Sequence, residues 1–213
     1  MITFRRMYLD EWLERSKPLM HGKVLDIGGK KDNKRGNFKP PIEKVSSWEY
    51  VNIDKSTNPD YLCDAHNIPI DDQSIDCILL CEVLEHLEEP ELAVKEAFRL
   101  LKNGGRCLIT MPFLFPIHAD PNDYQRWTDE KLKRVLSDIG FKEIEIASMG
   151  GILAVVSDTM RFAYVNGAVN KSRMMGIIFR ILVTLTQRMS LYDRKMTGTW
   201  SMITTGWCVI GIK

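Results

Sequence analysis

Ile75-Asp76-Cys77-Ile78-Leu79-Leu80-Cys81-Glu82-Val83-Leu84-Glu85-His86-Leu87 is the stretch on which the fold turns. Residues 75–81 form an almost unbroken apolar run, introduced by Asp71, Asp72 and Ser74. Such a run suits a strand buried on both faces, which belongs in a sheet covered by helices on either side.

Working outward, the flanking segments alternate between strand and helix patterns. Upstream, residues 23–27 read as a short strand running into Gly28-Gly29, residues 50–54 as a second strand ending in an acid, and residues 61–64 as a brief third. Downstream, Leu92, Ala93, Ala97, Leu100 and Leu101 form a helical stripe over 91–102, closed by Asn103-Gly104-Gly105. Residues 106–111 make a strand stopped by Pro112. Thr128 is placed to cap a helix through Ile139, with Asp129 and Glu130 in its first turn and Gly140 at its end. Strands follow at 142–148 and 204–212. This alternation predicts an α/β domain with a mainly parallel sheet, its ligand beyond the carboxyl ends of the strands. A single domain is expected, with a leading helix in 1–20, a binding core over 21–148, a helical insertion over 151–201 and the last strand at 204–212. In the leading helix, Phe4, Met7, Tyr8 and Trp12 fit a helical period. Residues 30–47 fit no helix, because Pro40-Pro41 sits where the first crossover helix should run.

Composition sets outer limits. The chain has 213 residues, 45% hydrophobic and 27% charged, so one core can form. A formal charge of +1 speaks against a charge-driven nucleic-acid partner. Five scattered cysteines without a CxxC pair read as reduced thiols, and Arg5, Arg6, Asp10, Glu11 and Glu14 interrupt any signal-peptide core, so a cytoplasmic location is expected. The apolar run 174–189 is too short and too charged to span a bilayer, which needs about 20 apolar residues.

Three features carry binding chemistry. Gly28 and Gly29 let backbone N–H groups approach a ligand that a side chain would block. Asp54, ending the second strand, stands where an acid accepts hydrogen bonds from ribose hydroxyls in nucleotide-binding α/β folds. Asp64-Ala65 offers a carboxylate to the exocyclic amine of an adenine.

The order of residues 24–29, Asp54, Asp64, residues 76–87, Leu101-Lys102-Asn103-Gly104-Gly105 and Met111-Pro112 resembles the class I S-adenosylmethionine-dependent methyltransferases of the methyltransferase-11 type. The resemblance covers residues 20–148. It implies a Rossmann-like, doubly wound, seven-stranded, mainly parallel sheet with an antiparallel last strand, and S-adenosylmethionine as cofactor. By that resemblance Asp26 and Gly28 line the methionine end, Asp54 holds the ribose, Asp64 the adenine amine, and Glu82 lies beside the transferring sulfonium. An NAD-dependent Rossmann enzyme would need G-x-G-x-x-G, which is absent. The chain departs from the family in carrying Lys30 and Asp32 where two further glycines are usual. Lys30 or Lys31, in the basic run 30–35, is expected to supply positive charge to the methionyl carboxylate.

The acceptor side is read in residues 112–128, which concentrate a histidine, acids, an arginine and aromatics after a core strand. His118 is the candidate base, Asp123 its orienting partner and Arg126 a grip for an anionic acceptor, against the plainer reading that these residues tie the loop down. His86 reads as structural and Trp127 as a pocket wall. No metal constellation is visible in the spacing. For the insertion, a lid, a homodimer surface and a peripheral membrane helix over 173–189 compete with simple packing. The expected function is O-methylation of a sugar, glycan precursor or other small or lipid-linked acceptor. Carbon methylation of a quinone-like ring, or cofactor binding without catalysis, are the alternatives.

Overall fold

The computed structural model describes residues 3–31, 36–118, 121–165, 173–189, 192–193 and 202–213. Seven strands, β1 (Lys23–Ile27), β2 (Ser47–Asn52), β3 (Tyr61–Leu62), β4 (Ile75–Cys81), β5 (Leu101–Pro112), β6 (Lys142–Ser148) and β7 (Gly206–Ile212), form one sheet. Their order is β3-β2-β1-β4-β5-β7-β6. The pairs among β1 to β5 are parallel, as the alternation of elements predicts, and β7 is antiparallel to both its neighbours, as the family resemblance implies. The strand order reverses between β1 and β4, which makes their carboxyl ends the switch point where α/β sheets bind ligands.

Side-chain alternation divides the core between the two faces of the sheet. In β4, Ile78 and Leu80 join the cluster that includes Ala93, Val94, Ala97 and Leu100 of α2 (Pro90–Leu100) and Leu132 and Leu136 of α3 (Asp129–Ile139). Cys77, Leu79 and Cys81 face the other way, toward Leu9 and Leu13 of α1 (Phe4–Ser16). The cysteines are free thiols, and burial pushes the Cys77 thiol up to about 12.

Several boundaries move from their expected places. β2 begins at Ser47 and ends at Asn52, because Asp54 leaves the strand to cap a 3₁₀ turn at Lys55–Thr57. β3 stops at Leu62, and Asp64 turns to accept the His66 N–H at 2.8 Å. α2 ends at Leu100, and Asn103-Gly104-Gly105 lies inside β5 instead of closing the helix. The register jumps there, with Ile75 opposite Leu101 but Cys77 opposite Arg106, so these residues form a bulge. β7 starts at Gly206, since the Thr204 and Thr205 hydroxyls are spent on the Met149 carbonyl. Among the described residues between β1 and β2 there is no α-helix, only a 3₁₀ turn at Ile42–Lys44.

In α1 the buried apolar residues are Phe4, Leu9 and Leu13, while Met7, Tyr8 and Trp12 are half-buried. The helix is rotated so that Arg5, 3% exposed, points inward. The insertion contributes α4 (Ile152–Val165) and α5 (Arg173–Met189). The Asp158 carboxylate of α4 accepts the Phe4 and Arg5 N–H groups at 2.8 and 2.9 Å, capping α1 and fastening the insertion to the core. Residues 32–35 of the basic run, 119–120 of the acceptor loop and 194–201 of the insertion lie outside the described residues. No helix is long and apolar enough to cross a membrane among the described residues.

Candidate active site

The carboxyl ends of β1, β2 and β4 open into a cleft of about 450 Å³, bordered by Gly28, Lys30, Asn52, Asp54, Asp64, Ala65, Glu82, Val83 and His86. That volume suits a nucleoside-sized ligand. Gly28 has φ 76° and donates its N–H to the Val51 carbonyl at 2.8 Å. A Cβ on Gly28 would stand 2.5 Å from Val83 Cγ2, so glycine keeps the cleft floor open. Asp26 and Gly29 do not border the cleft. Asp26, 2% exposed, points to the opposite face from the cleft-lining Ile27 and lies beneath the turn. Gly29 packs on it: a Cβ there would meet the Asp26 carboxylate at 2.5 Å and the Tyr50 ring at 2.7 Å.

Asp54 is exposed at the lip. Its carboxylate accepts the Ser56 hydroxyl and N–H, both at 2.8 Å, and these bonds hold it below the ordinary carboxylate range. A carboxylate offers about four lone-pair sites, so two accepted bonds leave room for a diol. Asn52 Nδ2, which sequence reasoning overlooked, donates to the Gly29 carbonyl at 3.0 Å and ties β2 to the glycine turn. On the adenine side, Asp64 pairs with His66 Nδ1 at 2.7 Å, with buried Ala65 beside it. Of the two lysines, Lys30 borders the cleft, and Lys31 is turned away onto Asp60 at 2.5 Å.

Glu82 follows β4 in the left-handed region, φ 56°, a conformation rare for a residue with a side chain. Its N–H bonds the Thr110 carbonyl at 3.0 Å. Its carboxylate accepts the Thr110 hydroxyl at 2.8 Å and is gripped by both Arg5 Nε, at 2.8 Å, and Arg5 Nη2. Burial raises the Glu82 pKa, but the Arg5 charge and these bonds outweigh it, and the carboxyl is held below its usual range. Arg5 Nη1 also reaches the Thr205 carbonyl at 3.0 Å. The sequence gives no hint of this partnership, because 77 residues separate Arg5 from Glu82.

On the acceptor side, Asp123 joins the three predicted residues. It accepts the His118 backbone N–H at 2.9 Å and clasps Arg126 through both guanidinium Nη atoms. Its pKa falls to about 2, chiefly through the Arg126 hydrogen bonds. Arg126 also donates to the Gln125 carbonyl at 2.9 Å, so much of its donor fork is used within the loop. The His118 ring is half-buried, and burial lowers its pKa, which leaves a neutral imidazole at pH 7. It packs edge-on against His86, with ring centroids 5.4 Å apart, and both rings face the buried Glu85 carboxylate. Trp127 is 5% exposed and belongs to the core beneath α3 instead of a pocket wall.

Residues 45–109 match the methyltransferase-domain family. Over its whole length the chain also superposes on solved methyltransferases. A S-adenosylmethionine-dependent methyltransferase from Archaeoglobus fulgidus has TM-score 0.59 at 16% identity, covering 98% of this chain and 94% of that one. The fold is that of these methyltransferases, and residues 45–109 are similar to the methyltransferase-domain family. A Haemonchus contortus phosphoethanolamine N-methyltransferase, solved with S-adenosylhomocysteine, shares the fold at TM-score 0.57 and 15% identity, over 96% of this chain and 52% of that one. Among curated sequences, the ubiquinone/menaquinone biosynthesis C-methyltransferase UbiE of Cellvibrio japonicus is 27% identical over 44% of this chain and 50% of its own length. The chain spans between 23% and 63% of the first curated relatives it matches. Gly28, Lys30, Asp54, Asp64, Ala65 and Glu82 meet in one cleft, and the last four lie within the matched residues. That cleft combines an open glycine turn, a carboxylate at the lip and a second carboxylate 10 positions on in sequence.

Proposed function

We propose that this chain transfers the methyl group of S-adenosylmethionine to an oxygen of a small acceptor, a sugar, glycan precursor or related metabolite, either free or lipid-linked. The observation that carries the reading is the meeting of Gly28, Asp54, Asp64 and Glu82 around one cleft whose wall continues into His86. The cofactor supplies an electrophilic methyl on a sulfonium. Asp54 and Asp64 would hold its nucleoside by hydrogen bonds, and Gly28 would admit its edge close to the backbone. Glu82, fixed by Arg5 and Thr110, keeps negative charge near the cation. As the new carbon–oxygen bond forms, the acceptor hydroxyl must lose its proton, and His118 is the residue on which that loss depends. Asp123 holds the His118 backbone, and its carboxylate lies 3.5 Å from Nδ1.

A second reading, carbon methylation of a quinone-like ring, is favoured by the similarity to the UbiE protein and by the apolar face of α5. Incubation with labelled S-adenosylmethionine and a panel of sugar nucleotides, lipid-linked sugars and quinones, scored by S-adenosylhomocysteine release, tests both. Labelled sugar supports the first reading. Turnover on quinones alone replaces it with the second, and turnover on neither, despite cofactor binding, leaves a binding protein. In the productive assay His118→Ala is expected to lower kcat by about 10²–10⁴-fold.

A further inference from the structure

We propose that Glu85, His86 and His118 form a binding site for a divalent transition-metal ion at the edge of the cofactor cleft. Glu85 is fully buried, and neither of its carboxylate oxygens has a hydrogen-bond partner among the described residues. A buried carboxylate without a donor is costly and calls for a counter-charge. What faces it is the Nε2 atom of His86 at 3.7 Å and the Nε2 atom of His118 at 3.8 Å. One ligand atom from each of the three residues lies within 4.8 Å of the others.

The hydrogen bonds on the far side of each ring decide what these nitrogens are. His86 Nδ1 faces the Asn122 carbonyl, and His118 Nδ1 faces the Pro116 carbonyl at 3.2 Å and Asp123 Oδ2 at 3.5 Å. Carbonyl and carboxylate oxygens only accept, so each Nδ1 carries the proton and each Nε2 presents a lone pair. Two imidazole lone pairs thus converge on the Glu85 carboxyl. Histidines that ligate a metal ordinarily donate their other ring N–H to a carbonyl or carboxylate in this way.

A proton alone fits the spacing poorly, since an O–H···N bond would draw the partners to within about 3 Å. Two ligands about 2.1 Å from a common ion stand roughly 3.4 Å apart at a tetrahedral angle, within a few tenths of the two Glu85–histidine separations. Two imidazoles and one carboxylate favour zinc, cobalt, manganese or iron over magnesium, and three protein ligands leave positions open for water or substrate. The remaining nearby charges are already committed: Arg5 to Glu82, and Arg126 to Asp123.

What the ion does for the acceptor rests on the methyl-transfer reading above. A hydroxyl bound at an open position is acidified and releases its proton to solvent. Its oxygen then bonds the methyl carbon while the carbon–sulfur bond breaks, its electron pair staying on sulfur. His118 serves in that case as a ligand.

The full chain, stripped with chelator and dialysed, is titrated with cobalt(II) by visible absorption and with zinc by calorimetry, with S-adenosylhomocysteine titrated in parallel. One ion per chain, held at least tenfold less tightly by Glu85→Gln and by His118→Ala, and less tightly still when the ion is magnesium, is the expected result. Unimpaired S-adenosylhomocysteine binding shows that a variant is folded; should Glu85→Gln fail that check, His118→Ala and His118→Asn carry the test. Absence of cobalt and zinc binding, or equal binding by folded variants, overturns the site. Metal binding without S-adenosylhomocysteine binding keeps the site and removes the methyl-transfer reading.

Discussion

At the scale of single residues, Asp54 and Gly28 are the most exposed to test. Asp54 is solvent-facing and its carboxylate makes two local bonds, so Asp54→Ala should leave the melting temperature nearly unchanged while removing the carboxylate proposed to bind the cofactor. Losing charged hydrogen bonds to the ligand predicts roughly a tenfold to hundredfold loss of S-adenosylhomocysteine affinity by calorimetry. Gly28→Ala should fail differently. Its φ of 76° and the Val83 methyl 2.5 Å from the added carbon predict a lower melting temperature as well as weaker binding. These positions were legible in the sequence because each is local: a glycine after a strand, an acid ending the next. The convergence of Glu85, His86 and His118 was not, because it depends on the path of the loop that returns His118 across the strand tips. Arg5 was invisible for the same reason.

At the scale of elements, the loop that presents Asp64 is fastened by α2. Arg99 donates to the Ile68 and Ile70 carbonyls, both at 3.0 Å, and Glu96 accepts the Ile68 N–H at 2.7 Å. The Arg99 hydrogen bonds, helped by that N–H and opposed by burial, hold the Glu96 carboxyl below its ordinary value. A carboxyl depressed in the folded state stabilises above its unfolded pKa, about 4.3, and loses that contribution as pH falls through the folded value. The gap in melting temperature between the native chain and Glu96→Gln should therefore be full at pH 6 and shrink below about pH 4. A gap independent of pH would remove the ion pair from the account. Asp158→Ala, which strips the cap from α1, should cost about 1–2 kcal/mol in chemical denaturation. Strands β4 and β6 and helix α3 follow their sequence signals closely, since an apolar run, a Thr128 cap and a Gly140 stop act locally. The glycines of β5 misled because the same residues that end a helix also make a bulge.

For the whole molecule, the mainly parallel sheet follows from the alternation of elements and the antiparallel last strand from the family resemblance, while the strand order emerges only in the structure. The insertion was less legible. Within α5, Met174, Ile177, Ile178, Ile181 and Leu185 are exposed, and the segment holds arginines but no acid. An apolar face beside basic residues suits an anionic lipid surface, so the chain should co-sediment with vesicles containing anionic lipid, and Ile178→Asp should reduce that binding. Binding unchanged by Ile178→Asp would assign α5 another role. The central claim is that a nucleoside lies across the tips of β1, β2 and β4. Calorimetric titration of S-adenosylhomocysteine into the full chain, Asp54→Ala, Asp64→Ala and the distant control Asp138→Ala tests it directly. The account predicts one site per chain, weakened by the first two substitutions and untouched by the third. No binding to the native chain, or equal affinity in all four proteins, would contradict it.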